Sequence, residues 1–307
     1  MDKDKSGPAI LTIGVFDGVH LGHQLLLNKA IALANELGGS VTTATFHPHP
    51  TQFLRPEMFQ GLLTLPTRRQ NILLDLGVDH VEMLHFDLAM SQMPPATFVE
   101  EVIVEQLKAD VILVGQNFRF GHKAVGDVEA LILLTQKFGI EVRTIDLVGD
   151  SQVWSSTRIR KLILEGDVAS ARQLLGRPHR VSGEVVHGDH RGREIGFPTA
   201  NVDVPKQLII PSDGIYSGLV YTLDEVFPAA ISIGTNPTFA GVVDRRVEAY
   251  VLDRNDLNLY GQVISVDFIE HVREMETFDG IESLLVAMNR DVELARSHIS
   301  DFLNVSN

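Results

Sequence analysis

Along the first half of the chain, short apolar runs alternate with longer stretches of helical spacing. Residues 9–16 read as a buried strand and residues 21–37 as a helix closed by Gly38-Gly39. A β-branched run over 41–46 stops at the proline-rich segment 47–50, and residues 67–76 form a helical pattern ending at Gly77. Further strands are predicted over 81–86, 110–115 and 141–148, with helices over 95–107 and 127–138. Such alternation predicts an α/β domain with a doubly wound parallel sheet and right-handed crossovers. Ligands in these sheets bind beyond the carboxyl ends of the strands, where residues 14–23 and 115–121 fall.

Residues 155–177 are helical in pattern, with Leu162, Ile163, Ala169, Leu174 and Leu175 as the apolar set. Then the spacing changes. Short β-type runs cover 182–187, 215–222, 229–233, 247–252 and 263–268, punctuated by Gly, Pro, Asn and Asp. They predict a small antiparallel β-barrel, followed by an amphipathic C-terminal helix over 281–299. The boundary is placed at Arg177-Pro178, giving domains 1–177 and 178–307.

Composition narrows the chemistry. The 307 residues favour two domains, each long enough for its own core. A formal charge of -14 argues against general binding to nucleic acid or to an anionic membrane, though local arginines can still hold a small anion. The absence of cysteine excludes disulfides, thiolate catalysis and cysteine zinc sites. Residues 1–7 are charged, with no apolar segment behind them resembling a signal peptide, and no run approaches the ~18 apolar residues of a spanning helix. The expected location is the cytoplasm. Oligomeric state has no signature.

Residues 14–23, GVFDGVHLGH, place two histidines where a buried strand turns into a helix. A helix start offers unpaired N–H groups and partial positive charge, which suit phosphate. Gly14, Gly18 and Gly22 let the backbone turn tightly and approach a ligand. His20 and His23, three apart, share one face and could donate to α- and β-phosphates. They could also be metal ligands or incidental surface histidines, but no cysteine or nearby glutamate completes a zinc set. The segment is neither a Walker A motif nor a GxGxxG fingerprint. Residues 155–160, SSTRIR, open a helix with hydroxyls and two arginines. Alone that is a well-capped helix; beside the histidines, Arg158 and Arg160 could clamp a triphosphate.

In the second half, residues 186–201 read VHGDHRGREIGFPTAN. Gly188, Gly192 and Gly196 make a pliable loop, and His190, Arg191 and Arg193 add charge, either as a basic turn or as a phosphate-covering flap. Thr199 and Asn201 offer neutral oxygens that fit Mg²⁺ carrying ATP, although the spacing alone is that of a turn. Glu248 is a carboxylate on a predicted strand, a position usually solvated.

Four segments together, 14–23, FHPHP at 46–50, VGQNFRFG at 114–121 and SSTRIR at 155–160, resemble the prokaryotic bifunctional riboflavin kinase/FMN adenylyltransferases, or FAD synthetases. The resemblance extends over nearly the whole chain, and PTAN at 198–201 resembles the riboflavin kinase signature. It implies an HxGH nucleotidylyltransferase domain in front of a kinase barrel. FMN would be made from riboflavin and ATP, then converted with a second ATP to FAD and pyrophosphate, with Mg²⁺ accompanying ATP. FMN and FAD would be substrate and product, not prosthetic groups. His20 and His23 would bind the ATP phosphates. Gly14, Phe16, Asp17 and Gly22 would lie along the nucleotide. Asn117 would contact the flavin nucleotide or the reacting phosphates. Ser156, Thr157 and Arg160, with Arg158, would hold the triphosphate as pyrophosphate leaves. Thr199 and Asn201 would coordinate the metal, and Glu248 would act as base on the ribityl hydroxyl. Gly188, Gly192, Gly196, Phe197 and Asn236 would line the second nucleotide and flavin pocket. Many members carry Asp where this chain has His47, so the resemblance assigns that position no role. Two other readings are an adenylyltransferase whose barrel has lost kinase activity and a non-enzymatic flavin sensor.

Overall fold

A computed structural model describes residues 7–146, 154–188, 196–237 and 243–306. The chain divides into two compact units, Met1–Ser156 and Thr157–Asn307.

In the first unit, strands β1 (Ala9–Ile13), β2 (Ser40–His47), β3 (His80–His85), β4 (Val111–Gly115) and β5 (Glu141–Ile145) form one sheet in the order β3-β2-β1-β4-β5. Every pairing is parallel. The period-2 geometry of a strand sends neighbouring residues to opposite faces. Ile10, Val41, Val111 and Leu113 accordingly pack under α1 (Leu21–Leu37), against Leu27 and Ala30. Leu11, Ala44, Ile112 and Val114 pack on the other face against Phe98, Val102 and Ile103. Helix α1 stops where predicted: Gly38 takes the left-handed conformation (φ 68°) and the Gly39 N–H reaches Ala34 O at 2.8 Å.

The remaining helices are α2 (Pro50–Leu54), α3 (Pro66–Asp75), α4 (Leu88–Gln92), α5 (Pro95–Thr97) and α6 (Val128–Gln136). Three predicted elements differ. The strand expected over 9–16 ends at Ile13, because Phe16 turns into a left-handed conformation (φ 50°). The helix expected over 95–107 is α-helical only in α5 and continues as a π-helix over Phe98–Gln106. The strand expected over 141–148 is described as far as Ile145, and its last two residues lie outside the described residues.

Helix α3 carries a buried arginine. Arg69 is 1% exposed. Its Nη1 donates to Val15 O at 3.0 Å and its Nη2 to Phe46 O at 2.7 Å, pinning the chain where β1 and β2 run out. Burial pushes its pKa down, opposed by the charge of Asp17. Arg69→Met leaves both carbonyls without that donor in a dry site. The expected loss is about 2–4 kcal/mol in chemical denaturation, on the scale of deleting a charged hydrogen-bond donor. An unchanged unfolding midpoint would contradict this reading.

The second unit takes in α7 (Ser156–Leu164) from Thr157 onward and then α8 (Val168–Leu175). The single helix expected over 155–177 is therefore two. The break falls at Gly166 (φ 82°), and the Asp167 side chain caps α8 by accepting from Ser170 N at 2.9 Å. Strands β6 (His179–Val186), β7 (Ala200–Asp203), β8 (Gly214–Tyr221), β9 (Val226–Pro237), β10 (Val243–Val251) and β11 (Val263–Arg273) close an antiparallel barrel in the order β10-β7-β6-β11-β8-β9. Burial alternates along β6, with Val181 and Val185 inward. Strand β7 has no counterpart among the predicted runs. Helix α9 (Ile281–Ser306) continues beyond the predicted 281–299 and packs Ala295 and Ile299 on Leu219 and Ile269 of the barrel. A paired contact from Arg273 to both carboxylate oxygens of Asp291, each 2.8 Å, fastens α9 to β11.

Candidate active sites

Strand β1 lies between β2 and β4, so the chain departs to one side of it first and to the other later. That reversal is a topological switch point, and sheets of this kind bind ligands outside the carboxyl ends of the strands flanking it, here β1 and β4. The loop leaving β1 is held in sparsely populated backbone conformations: Phe16 (φ 50°), Gly18 (φ 81°) and Val19 (φ 40°). For a β-branched residue this is costly and needs support from its surroundings. Val19 is fully buried, and its N–H bonds Phe16 O at 3.1 Å. Gly18 N donates to Thr64 Oγ1 at 3.1 Å. The Asp17 carboxylate accepts from Leu63 N at 3.0 Å, from Thr64 N at 3.0 Å and from Thr64 Oγ1 at 3.2 Å. Ser156 Oγ donates to Asp17 O at 2.8 Å. Asp17 thus joins three segments far apart in sequence, a role that no local pattern signals.

This anchored loop delivers His20 to the start of α1. His20 is 5% exposed, and its ring stacks on His23 with centroids 3.7 Å apart and planes 20° apart. Phe16 meets the His23 ring edge-on at 5.1 Å. Gly22 leaves room for the pair, since an added Cβ would sit 3.1 Å from His20 Cε1. No acidic residue occupies the first turn of α1 to cancel its positive end. The structure brings Phe16, Asp17, His20, Gly22, His23 and Ser156 together, with Gly14 against the Phe16 ring. Thr157, Arg158 and Arg160 follow on α7 and belong to the second compact unit; Arg160 is buried and Thr157 exposed. Asn117 is exposed in the turn after β4, where Phe118 N bonds Gly115 O at 2.9 Å. Phe120 anchors that turn, stacked on Phe118 at 5.6 Å and packed against Phe98 at 5.7 Å.

The 47–50 segment has a cis His47-Pro48 peptide, and His49 Nδ1 caps α2 by accepting from Thr51 N at 3.1 Å. Burial lowers the His47 pKa, with the charges of Arg69 and His85 adding to the effect.

In the barrel, register assembles the second site. Asn201 on β7 stands opposite Glu248 on β10 and Val186 on β6. Thr199 Oγ1 donates to Glu248 Oε2 at 3.3 Å. Asn201 Oδ1 is buried and accepts no hydrogen bond among the described residues. Phe197 is buried with its ring 5.0 Å from Tyr250. Gly196 has φ 88°, and Gly188 lies against the Asn201 amide. Gly192 and the loop residues His190, Arg191 and Arg193 lie outside the described residues; Asn236 is described only as backbone, paired with Asp244. A buried amide oxygen, a hydroxyl and an adjacent carboxylate are hard oxygen donors of the kind that Mg²⁺ and Ca²⁺ accept. Among the described residues, no group of three or more His, Asp or Glu could hold a metal ion.

The α/β unit thus carries a histidine pair at a helix start, and the barrel carries a hydroxyl–amide–carboxylate cluster. Residues 2–158 match the FAD synthetase family model, and residues 175–299 match that of riboflavin kinase. The chain is 36% identical to the bifunctional riboflavin kinase/FMN adenylyltransferase of Pseudomonas fluorescens, over 94% of this chain and 92% of that protein. It is 34% identical to the enzyme of the same name from Escherichia coli K12, over 94% and 91%. A crystal structure described as a macrolide-efflux protein from Streptococcus pneumoniae is similar at a TM-score of 0.86, with 31% identity and 96% of both chains covered. No helix among the described residues is long and apolar enough to cross a membrane. The chain belongs to the bifunctional riboflavin kinase/FMN adenylyltransferase family. It phosphorylates riboflavin to FMN and adenylylates FMN to FAD, using ATP and a divalent metal ion for both steps.

Proposed function

We propose that separate residue sets carry the two reactions, with residues 1–177 serving adenylylation and 178–307 serving phosphorylation. In the first reaction an FMN phosphate oxygen attacks the α-phosphorus of ATP, the α–β bridging bond breaks, and pyrophosphate leaves. His20 and His23 donate to the triphosphate at the N-terminus of α1. Gly14, Phe16, Asp17 and Gly22 give that grip its shape. Ser156, Thr157, Arg158 and Arg160 hold the departing pyrophosphate, and Asn117 contacts the flavin nucleotide or the reacting phosphates. No protein nucleophile is needed, because positioning and charge stabilisation carry phosphoryl chemistry.

In the second site Glu248 accepts the proton of the ribityl hydroxyl as its oxygen attacks the γ-phosphorus of ATP and ADP leaves. Thr199 bonds one Glu248 oxygen, Oε2, leaving Oε1 for the substrate. Thr199 and Asn201 would hold the Mg²⁺ that accompanies ATP, and when bound the ion would neutralise phosphate charge building during transfer. Gly188, Gly196 and Phe197 border the nucleotide and flavin; Gly192 and Asn236 are assigned to the same pocket from the sequence resemblance alone. FMN and FAD act as substrate and product in the cytoplasm, and neither nucleic acid nor a membrane takes part.

The observation supporting the kinase assignment is the buried, unbonded Asn201 Oδ1 beside the Thr199–Glu248 pair. Asn201→Ala removes that oxygen. The Mg²⁺ concentration giving half-maximal riboflavin phosphorylation is expected to rise at least about 10-fold, with FMN adenylylation unchanged. Unaltered metal dependence would refute the assignment.

A further inference from the structure

Gly188 ends the described part of the loop that follows β6, two residues past Val186. A Cβ built on it would lie 2.7 Å from Asn201 Cγ and 2.9 Å from Oδ1, with Nδ2 nearer still. All three closest atoms belong to the Asn201 amide. Unlike Gly196 (φ 88°), Gly188 is not among the glycines with positive φ, so its backbone conformation is open to alanine. The glycine is therefore required by the space the amide occupies. An amide is also the far end of a rotatable side chain, which can swing aside at little cost to the barrel. A methyl group at position 188 would displace Asn201 Oδ1, a buried oxygen that accepts no bond among the described residues.

We propose that Gly188 is a positioning residue: its missing side chain holds the Asn201 amide in the orientation that presents Oδ1 to the metal ion of the kinase site. This rests on Asn201 as a ligand. It assigns the glycine a function distinct from backbone contact with phosphate, because the effect passes entirely through one neighbouring amide.

The test is a double-mutant cycle with Gly188→Ala, Asn201→Ala and the combined variant in the full chain. Calorimetric titration with Mg²⁺ and ADP reports binding, and Mg²⁺ dependence of riboflavin phosphorylation reports function. Gly188→Ala is expected to weaken the metal dependence about 10-fold at an unchanged melting temperature. The combined variant should match Asn201→Ala alone, because the second change has no amide left to displace. Should Gly188→Ala unfold the barrel, Asn201→Ala in the same chain must restore folding by clearing the obstructing atoms. If Asn201→Ala leaves metal dependence unchanged, the metal assignment itself fails. If Asn201→Ala weakens it while Gly188→Ala binds as the unsubstituted chain does, the positioning role is overturned and the metal site stands. Multiplying losses in the combined variant, or a failure to restore folding, overturn it equally.

Discussion

Glu248→Gln leaves riboflavin almost unphosphorylated while added FMN is still converted to FAD. The expected loss in kinase turnover is about 10²–10⁴-fold, the usual contribution of a positioned general base. The glutamine keeps the shape of the side chain and an oxygen able to accept from Thr199, so the contact at 3.3 Å and the pairing of β10 with β7 survive. What disappears is the charge proposed to take a proton from the attacking hydroxyl. The KM for riboflavin should change far less than kcat, since the carboxylate acts in the transition state. A melting temperature equal to that of the unsubstituted chain separates this outcome from a folding defect.

His20→Ala produces the reverse: FMN forms and accumulates, and FAD does not. His20 stands at the N-terminus of α1 on a loop secured by Asp17, which preorganises it for its proposed role as hydrogen-bond donor to phosphate. Removing one preorganised donor from developing phosphate charge costs about 10²–10³-fold in turnover. His20→Asn, which retains a donor over Gly22, should recover part of the activity. Full adenylylation by a folded His20→Ala chain would remove the histidine pair from the mechanism.

Much of this was legible in sequence for reasons that can be named. The helix at Leu21–Leu37 is legible from its apolar spacing and from the glycines that terminate it, whereas the strained backbone before it is not. The Gly166-Asp167 break was also present in the sequence, as a C-terminal glycine followed by a cap, but the apolar spacing on either side overrode it. Strand β7 escaped because four residues beginning at Ala200 are too short and polar to show a period; pairing with β6 and β10 makes it a strand. The π-helix over Phe98–Gln106 buries Phe98, Val99, Val102 and Ile103, a spacing that fits an α-helix equally well in sequence. In the sites, the histidine motif and the proline-led 198–201 segment carry their chemistry locally. Arg69 does not: the carbonyls it binds, Val15 O and Phe46 O, lie 54 and 23 residues away. The support that Leu63 and Thr64 give Asp17 is likewise long-range, at separations of 46 and 47 residues.

The central claim is that one chain holds two chemically independent centres, and chromatography of the flavins made by the two variants tests it most directly. Each is incubated with ATP and Mg²⁺, once with riboflavin and once with FMN. Glu248→Gln should leave riboflavin unchanged and convert FMN to FAD. His20→Ala should convert riboflavin to FMN and stop there. Loss of both conversions in either variant, with its melting temperature unchanged, would contradict the assignment of separate sites.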